Sequence, residues 1–190
     1  MIAAYRRRVF FRRCIMKEGI LLCGMNGCGK STLGKALAAD IGYRFIDNED
    51  LYFPKTDPDY MFSSPRSARE AEELLMKEIA LEPRFVFASV AVKSFTSVIP
   101  YLKAAFLMEV PREVRLRRVR ARSEMRFGDR VKEGGDLRER EERFFLNTAS
   151  RDEGYAREQA KLLTCPVFTL DGEAKPKENI LIIKETLNML

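Results

Sequence analysis

A chain of 190 residues that is 46% apolar has material for one domain with its own core. It has no His, and its four Cys lack metal-ligand spacing, which excludes a zinc-type centre and a disulfide framework and suits reduced thiols in a cytosolic protein. Of the net charge of +6, five units come from Arg6, Arg7, Arg8, Arg12 and Arg13, so residues 16–190 are nearly balanced.

Residues 1–15 form a basic arm without an acidic residue. It can be read as a targeting segment, a nucleic-acid or membrane tail, or a stretch upstream of a start at Met16. Its apolar centre, Val9-Phe10-Phe11, is too short for a signal peptide, and no run in the chain is long enough to cross a membrane. From residue 16 to 190 a single domain is expected. Gly19–Cys23 reads as a buried strand that stops at a glycine cluster. A helix follows with Leu33, Leu37 and Ile41 on one face and Gly42 as its stop.

Between that strand and helix, Gly24-Met25-Asn26-Gly27-Cys28-Gly29-Lys30-Ser31 matches the pattern G-x-x-x-x-G-K-[ST]. Glycines at 24, 27 and 29 let backbone N–H groups approach phosphates, and the helix N-terminus adds open donors and a favourable dipole. Lys30 is expected on the β- and γ-phosphates, Ser31 on Mg²⁺, and Asn26, Cys28 and Thr32 around the cradle. Cys28 reads as a small loop residue, not a nucleophile. Nucleoside triphosphate binding with Mg²⁺ is the expectation.

Arg44–Asp47 reads as the second strand, ending in the acidic group Asp47-Asn48-Glu49-Asp50. Residues 51–66, with Pro54, Pro58 and Pro65 among aromatics, are expected as an irregular excursion. Ser67 and Glu70 form a capping box opening a helix through Leu74, Leu75 and Ile79 that closes at Pro83. Strands are expected over 85–90 and 104–110, then a helix with Pro111 in its first turn. Gly134-Gly135 breaks that pattern. Helices over 136–148 and 151–163, a strand over 167–170 and a closing helix over 180–190 complete the chain. Strands alternating with helices give a three-layer α/β/α domain with a mostly parallel, five-stranded sheet.

Arg115, Arg118, Arg122 and Arg126 are spaced 3, 4 and 4 apart, which aligns them on one helix face. Such a stripe suits a triphosphate and its transition-state charge, or else a solvated face paired with Glu113 and Glu124.

From Gly19 onward this order of parts resembles the small P-loop kinases: shikimate, adenylate and related nucleoside kinases. The resemblance is carried by the P-loop, by Gly42–Asp50 at the second strand, and by Val110–Arg122 leading towards Arg126–Arg130. It implies ATP as donor, Mg²⁺, transfer to a small-molecule acceptor such as a shikimate-like compound or a nucleoside, and a monomer or homodimer. It implies a lid over about 122–136 and an acceptor-binding region over about 48–82. Asp47 becomes the residue expected to hold the acceptor hydroxyl, directly or through the Mg²⁺ shell, with Glu49 or Asp50 as second choice. The alternative is acids that merely solvate a strand end. Arg122 and Arg126 are expected in catalysis and Arg118 and Arg130 on ATP, with Arg151 a weaker candidate. Tyr52, Phe53, Tyr60 and Phe62 either enclose a ring substrate or pack locally, and Arg66 or Arg69 is expected to grip an anionic group.

Two departures stand out. Shikimate kinases carry a glycine triplet after the third strand, where this chain has Ala88-Ser89-Val90-Ala91. No acid ends that strand, so Mg²⁺ would rest on Ser31, Asp47 and water. An Asn-Lys-x-Asp segment is missing, which excludes a GTPase, and the chain is too short for a mechanical ATPase of the AAA type. An ATP-binding switch without an acceptor and a nucleic-acid end kinase remain as rivals, the latter disfavoured by the balanced charge.

Overall fold

The structure, a computed structural model, describes residues 18–190, so the basic arm expected over residues 1–15 lies outside the described residues. Five strands, β1 (Gly19–Cys23), β2 (Arg44–Asp47), β3 (Phe85–Ser89), β4 (Leu102–Glu109) and β5 (Val167–Asp171), form one sheet in the order β2-β3-β1-β4-β5. Every adjacent pair is parallel. Among the described residues seven α-helices accompany them, the last following β5: α1 (Lys30–Ile41), α2 (Asn48–Tyr52), α3 (Ala68–Leu81), α4 (Arg112–Phe127), α5 (Arg138–Ala149), α6 (Tyr155–Ala160) and α7 (Pro176–Asn188). The domain is the three-layer α/β/α fold that the alternation implies.

Strand alternation splits the core in two. Leu21, Phe85 and Phe87 pack with Leu75, Ile79 and Ala156 on one face. Ile20, Leu22 and Val86 pack with Leu33, Leu37 and Ile183 on the other. Because both faces are covered, β1 is buried at all five positions and reads as a continuous apolar run.

Local chemistry sets the boundaries. Gly42 ends α1 in the left-handed region at φ 69°. Both halves of the Ser67–Glu70 capping box are formed at α3. Elsewhere the elements shift. Residues 48–52, expected as strand end and loop, form the short helix α2, because the Asp47 side chain accepts from the Glu49 N–H and caps it. The helix expected over 151–163 shrinks to α6, since Asp152 Oδ1 accepts the Gly154 N–H at 2.7 Å and turns the chain before Tyr155. The closing helix starts four residues early, with Pro176 in its first turn. Among the described residues no helix is long and apolar enough to cross a membrane.

Candidate active site

The P-loop leaves the C-terminal end of β1 in a backbone path that requires glycine: φ is 146° at Gly24, 83° at Gly27 and 98° at Gly29. Gly27 also lies against α4, where an added Cβ would sit 2.4 Å from the Arg115 carbonyl oxygen. Gly29 precedes α1 and no side chain caps that helix, so its first-turn N–H groups stay open to an anion. Lys30, 8% exposed, donates from Nζ to the Met25 carbonyl at 3.0 Å and to Cys28 Sγ at 3.7 Å. Cys28 is fully buried, in keeping with a packing role, and burial pushes the neighbouring Cys23 thiol up to about 12.

Ser31 Oγ donates to Asp47 Oδ2 at 2.5 Å, bringing together the two residues expected at Mg²⁺. With its other oxygen capping α2 at 3.0 Å, Asp47 is held at both ends of its carboxylate. The pair offers two adjacent hard oxygen donors, the ligand type Mg²⁺ takes. Among the described residues no three acidic, Cys or His side chains are placed to hold a metal ion together, so phosphate oxygens and water would complete its shell. As expected, β3 ends without an acid. Ser89 stands there instead, buried, donating to the Ala91 carbonyl at 2.8 Å and accepting from Asn48 Nδ2 at 3.4 Å.

Three cavities lie next to one another along the strand ends. The middle one, about 370 Å³, is bounded by Lys30, Ser31, Asp47, Arg118, Arg122 and Arg126. Lys35 and Lys55, which sequence reasoning passed over, border it too. Of these, Lys55 is already paired with Asp50 and lies 3.5 Å from Glu49. Gly29, Thr32 and Arg118 are shared with a second cavity of about 370 Å³ against the turn Gly172–Pro176. That turn carried no recognisable signal beyond Asp-Gly, and Arg118 Nη1 donates to its Gly172 carbonyl at 3.2 Å. On the opposite flank Asn26, Glu49, Val90, Arg122 and Arg126 are shared with a third cavity of about 250 Å³.

The third cavity is walled by aromatic rings. Tyr60 and Phe62 meet Phe127 of α4 at centroid distances of 5.6 and 6.2 Å, and Phe53 meets Phe62 at 5.2 Å. Glu141, 8% exposed, accepts from the Tyr60 and Ser123 hydroxyls, each at 2.7 Å. Burial and then the Glu141 carboxylate push the Tyr60 phenol pKa upward.

Four arginines depart from their expected places. Arg115, expected on the stripe, is 2% exposed and turned inward. It donates to the Val110 and Asn26 carbonyls at 3.2 and 3.4 Å and to both Glu153 oxygens. The helix leans on the P-loop at that turn, so the same periodicity that exposes Arg118 buries Arg115. Arg130 lies beyond the end of α4; it pairs with Asp136 at 2.6 Å and donates to the Asp59 carbonyl at 2.6 Å, away from the phosphate cavity. Arg66 donates to the carbonyls of Asp50 and Leu51, tying the end of α2. Arg69 pairs with Glu73 on the outer face of α3, its side chain 89% exposed. Neither Arg66 nor Arg69 lines the aromatic cavity. Arg151, the weaker candidate, does reach the P-loop, donating to Asn26 Oδ1 at 3.1 Å.

Comparison with known proteins agrees with this geometry. An uncharacterized Bacillus subtilis protein, YqaC, is 23% identical over 173 residues, covering 87% of this chain and 94% of its own. A shikimate kinase from Aquifex aeolicus superposes with a TM-score of 0.54 at 18% identity, over 90% of this chain and 96% of that one. A deoxyadenosine kinase from M. mycoides gives 0.52 at 15% identity, over 90% and 100%. These likenesses show the fold. The shikimate kinase family model matches residues 26–161, from the P-loop through the arginine helix to α6. A match over most of the chain, on the elements that build these cavities, makes the protein a P-loop phosphotransferase that belongs to the shikimate kinase family.

Proposed function

We propose that the protein transfers the γ-phosphoryl group of ATP, with Mg²⁺, to a hydroxyl group of a small molecule held in the aromatic cavity. The contact of Ser31 with Asp47 in the phosphate cavity, which adjoins the aromatic cavity at Asn48, Glu49 and Val90, carries this reading. The base of ATP lies against Gly172–Pro176 and the triphosphate against Gly24–Thr32, so the γ-phosphoryl group points towards Glu49 and Val90. Lys30 exchanges the Met25 carbonyl for phosphate oxygens, and Arg118, Arg122 and Arg126 neutralise the charge that spreads over them. Ser31 and Asp47 would hold Mg²⁺, which would supply neutralisation of the charge that develops on the leaving ADP.

Asp47 orients the acceptor hydroxyl. The acceptor oxygen forms a bond to the γ-phosphorus as the bond to the β,γ-bridging oxygen breaks, and the hydroxyl proton passes to Asp47 or to water. Residues 48–82 then serve as the acceptor-binding region and 122–136 as the lid. Because the transition state needs positioning more than a strong base, a carboxylate held at both oxygens is sufficient. The location proposed is the cytosol, in keeping with free thiols at Cys23 and Cys28.

Coupled ADP release with ATP, Mg²⁺ and a panel of small alcohols is the test. Acceptor-dependent ADP formation is expected, abolished by chelating Mg²⁺ and by Lys30→Ala. Asp47→Asn is expected to lower kcat by about 10²-fold or more, the scale of a lost proton-transfer group. Undiminished turnover in Asp47→Asn would remove that residue from the mechanism. ATP hydrolysis indifferent to every acceptor would replace transfer by a nucleotide switch.

A further inference from the structure

Resting on the proposed transfer reaction, we propose that the acceptor is an uncharged, ring-bearing alcohol, and that the aromatic cavity selects against carboxylate- or phosphate-bearing ones. Five observations carry this. Phe53, Tyr60, Phe62 and Phe127 meet at centroid distances of 5.2 to 6.2 Å, presenting faces and edges suited to a planar or puckered ring. The buried charge within the cavity is negative: Glu141 is 8% exposed and both its oxygens are held by hydroxyls, not by a cation. An anion placed beside it is repelled in a medium where Coulomb forces are weakly screened.

Among the described residues that line this cavity, no cation belongs to it alone; Arg140 lies over the Tyr60 ring at 5.3 Å but is not part of the lining. Arg122 and Arg126 also border the phosphate cavity, where a triphosphate claims them, and Arg126 is held 3.7 Å from Glu49 and 5.0 Å from the Phe62 ring centre. Arg66 and Arg69, the residues able to grip an anion from the excursion, are turned away as described above. Finally, Val90 presents an apolar side chain at the boundary of both cavities, so that stretch of the wall offers an anion no side-chain donor. At about 250 Å³ the cavity lies at the small end for ligand sites, so the ring compound is enclosed and desolvated, which raises the penalty on any unpaired charge.

Matched pairs isolate the charge. The full chain is assayed for acceptor-dependent ADP formation with thymidine against thymidine 5′-monophosphate, and with shikimate methyl ester against shikimate. Within at least one pair the uncharged member is expected to have a kcat/KM at least tenfold the higher, and in neither pair is the anion preferred. Phe62→Ala should lower that kcat/KM about tenfold while leaving KM for ATP within twofold, with an unchanged urea midpoint as the folding control. A higher kcat/KM for shikimate or the monophosphate overturns the proposal. If no compound is phosphorylated, calorimetry of the same pairs with a non-hydrolysable ATP analogue present decides. Binding confined to uncharged members keeps the acceptor class while the transfer reaction fails. Binding of the anions, or of none of the four, overturns the class.

Discussion

At Gly27 two demands fall on one backbone position. The residue must adopt φ 83°, and its α-carbon must lie against the Arg115 carbonyl with no room for a Cβ. Gly29 has an equally positive φ of 98°, yet a Cβ there would meet nothing closer than Met108 Cε at 3.6 Å. Both Gly→Ala variants should impair ATP binding, but they should separate in stability. Each carries roughly 1–3 kcal/mol for an unfavourable backbone conformation, and only Gly27→Ala adds a clash that must displace α4. Thermal unfolding is expected to fall further for Gly27→Ala than for Gly29→Ala; equal midpoints would mean that Arg115 yields without cost. The glycines were legible because strand, loop pattern and helix occur together in the sequence. Arg115 was not, since residues 3 and 4 apart are equivalent until the neighbour of each helix face is known. Asp47 was legible as a candidate from its place after β2, whereas its second bond, the α2 cap, depends on a helix that three prolines in residues 51–66 obscured.

Along α4 the arginine ladder is a helical device, and it ends where the helix does. Arg118, Arg122 and Arg126 all border the phosphate cavity. Gly128, at φ 57°, breaks the helix after Phe127, so Arg130 no longer follows the ladder. The lid segment Arg126–Arg130 implied by the resemblance therefore straddles a helix end, and Arg130 leaves the face that Arg126 keeps. Arg69 failed for a related reason: the inward face of α3 is Ala71, Leu75 and Ile79, and a position two residues before Ala71 points away from it. The contrast gives a paired prediction. Arg126→Ala should lower kcat by about 10³-fold if it acts on the transferring group as lid arginines do. Arg130→Ala removes a solvent-exposed pair with Asp136 and should change kcat by less than about tenfold. Steady-state kinetics with saturating ATP compares them, and equal losses would place both on the phosphates.

Across the whole molecule, the phosphate cavity lies against the sheet ends, and a separate cap walls the aromatic cavity proposed for the acceptor. The P-loop is anchored in the sheet through β1 and in α4 through Arg115, while the cap is assembled from the 53–66 excursion, the end of α4 and α5. Glu141 joins all three parts of the cap, since Tyr60 lies in the excursion, Ser123 in α4 and Glu141 itself in α5. No sequence pattern could show this, because a glutamate in the Arg/Glu-rich stretch 138–143 looks like any solvated charge until the excursion folds over it. Removing it leaves two hydroxyls short of an acceptor, at about 1–3 kcal/mol for each one that stays buried. That loss falls on the cap, so Glu141→Ala should raise KM for the acceptor while KM for ATP stays within about threefold, on the logic that only the interaction removed changes its own binding. The excursion should become sensitive to proteolysis at residues 53–66, and Glu141→Gln, which keeps an acceptor oxygen, should restore part of the protection. Equal increases in both KM values would show instead that the cap and the nucleotide site fold as one unit, with Glu141 supporting the P-loop through α4.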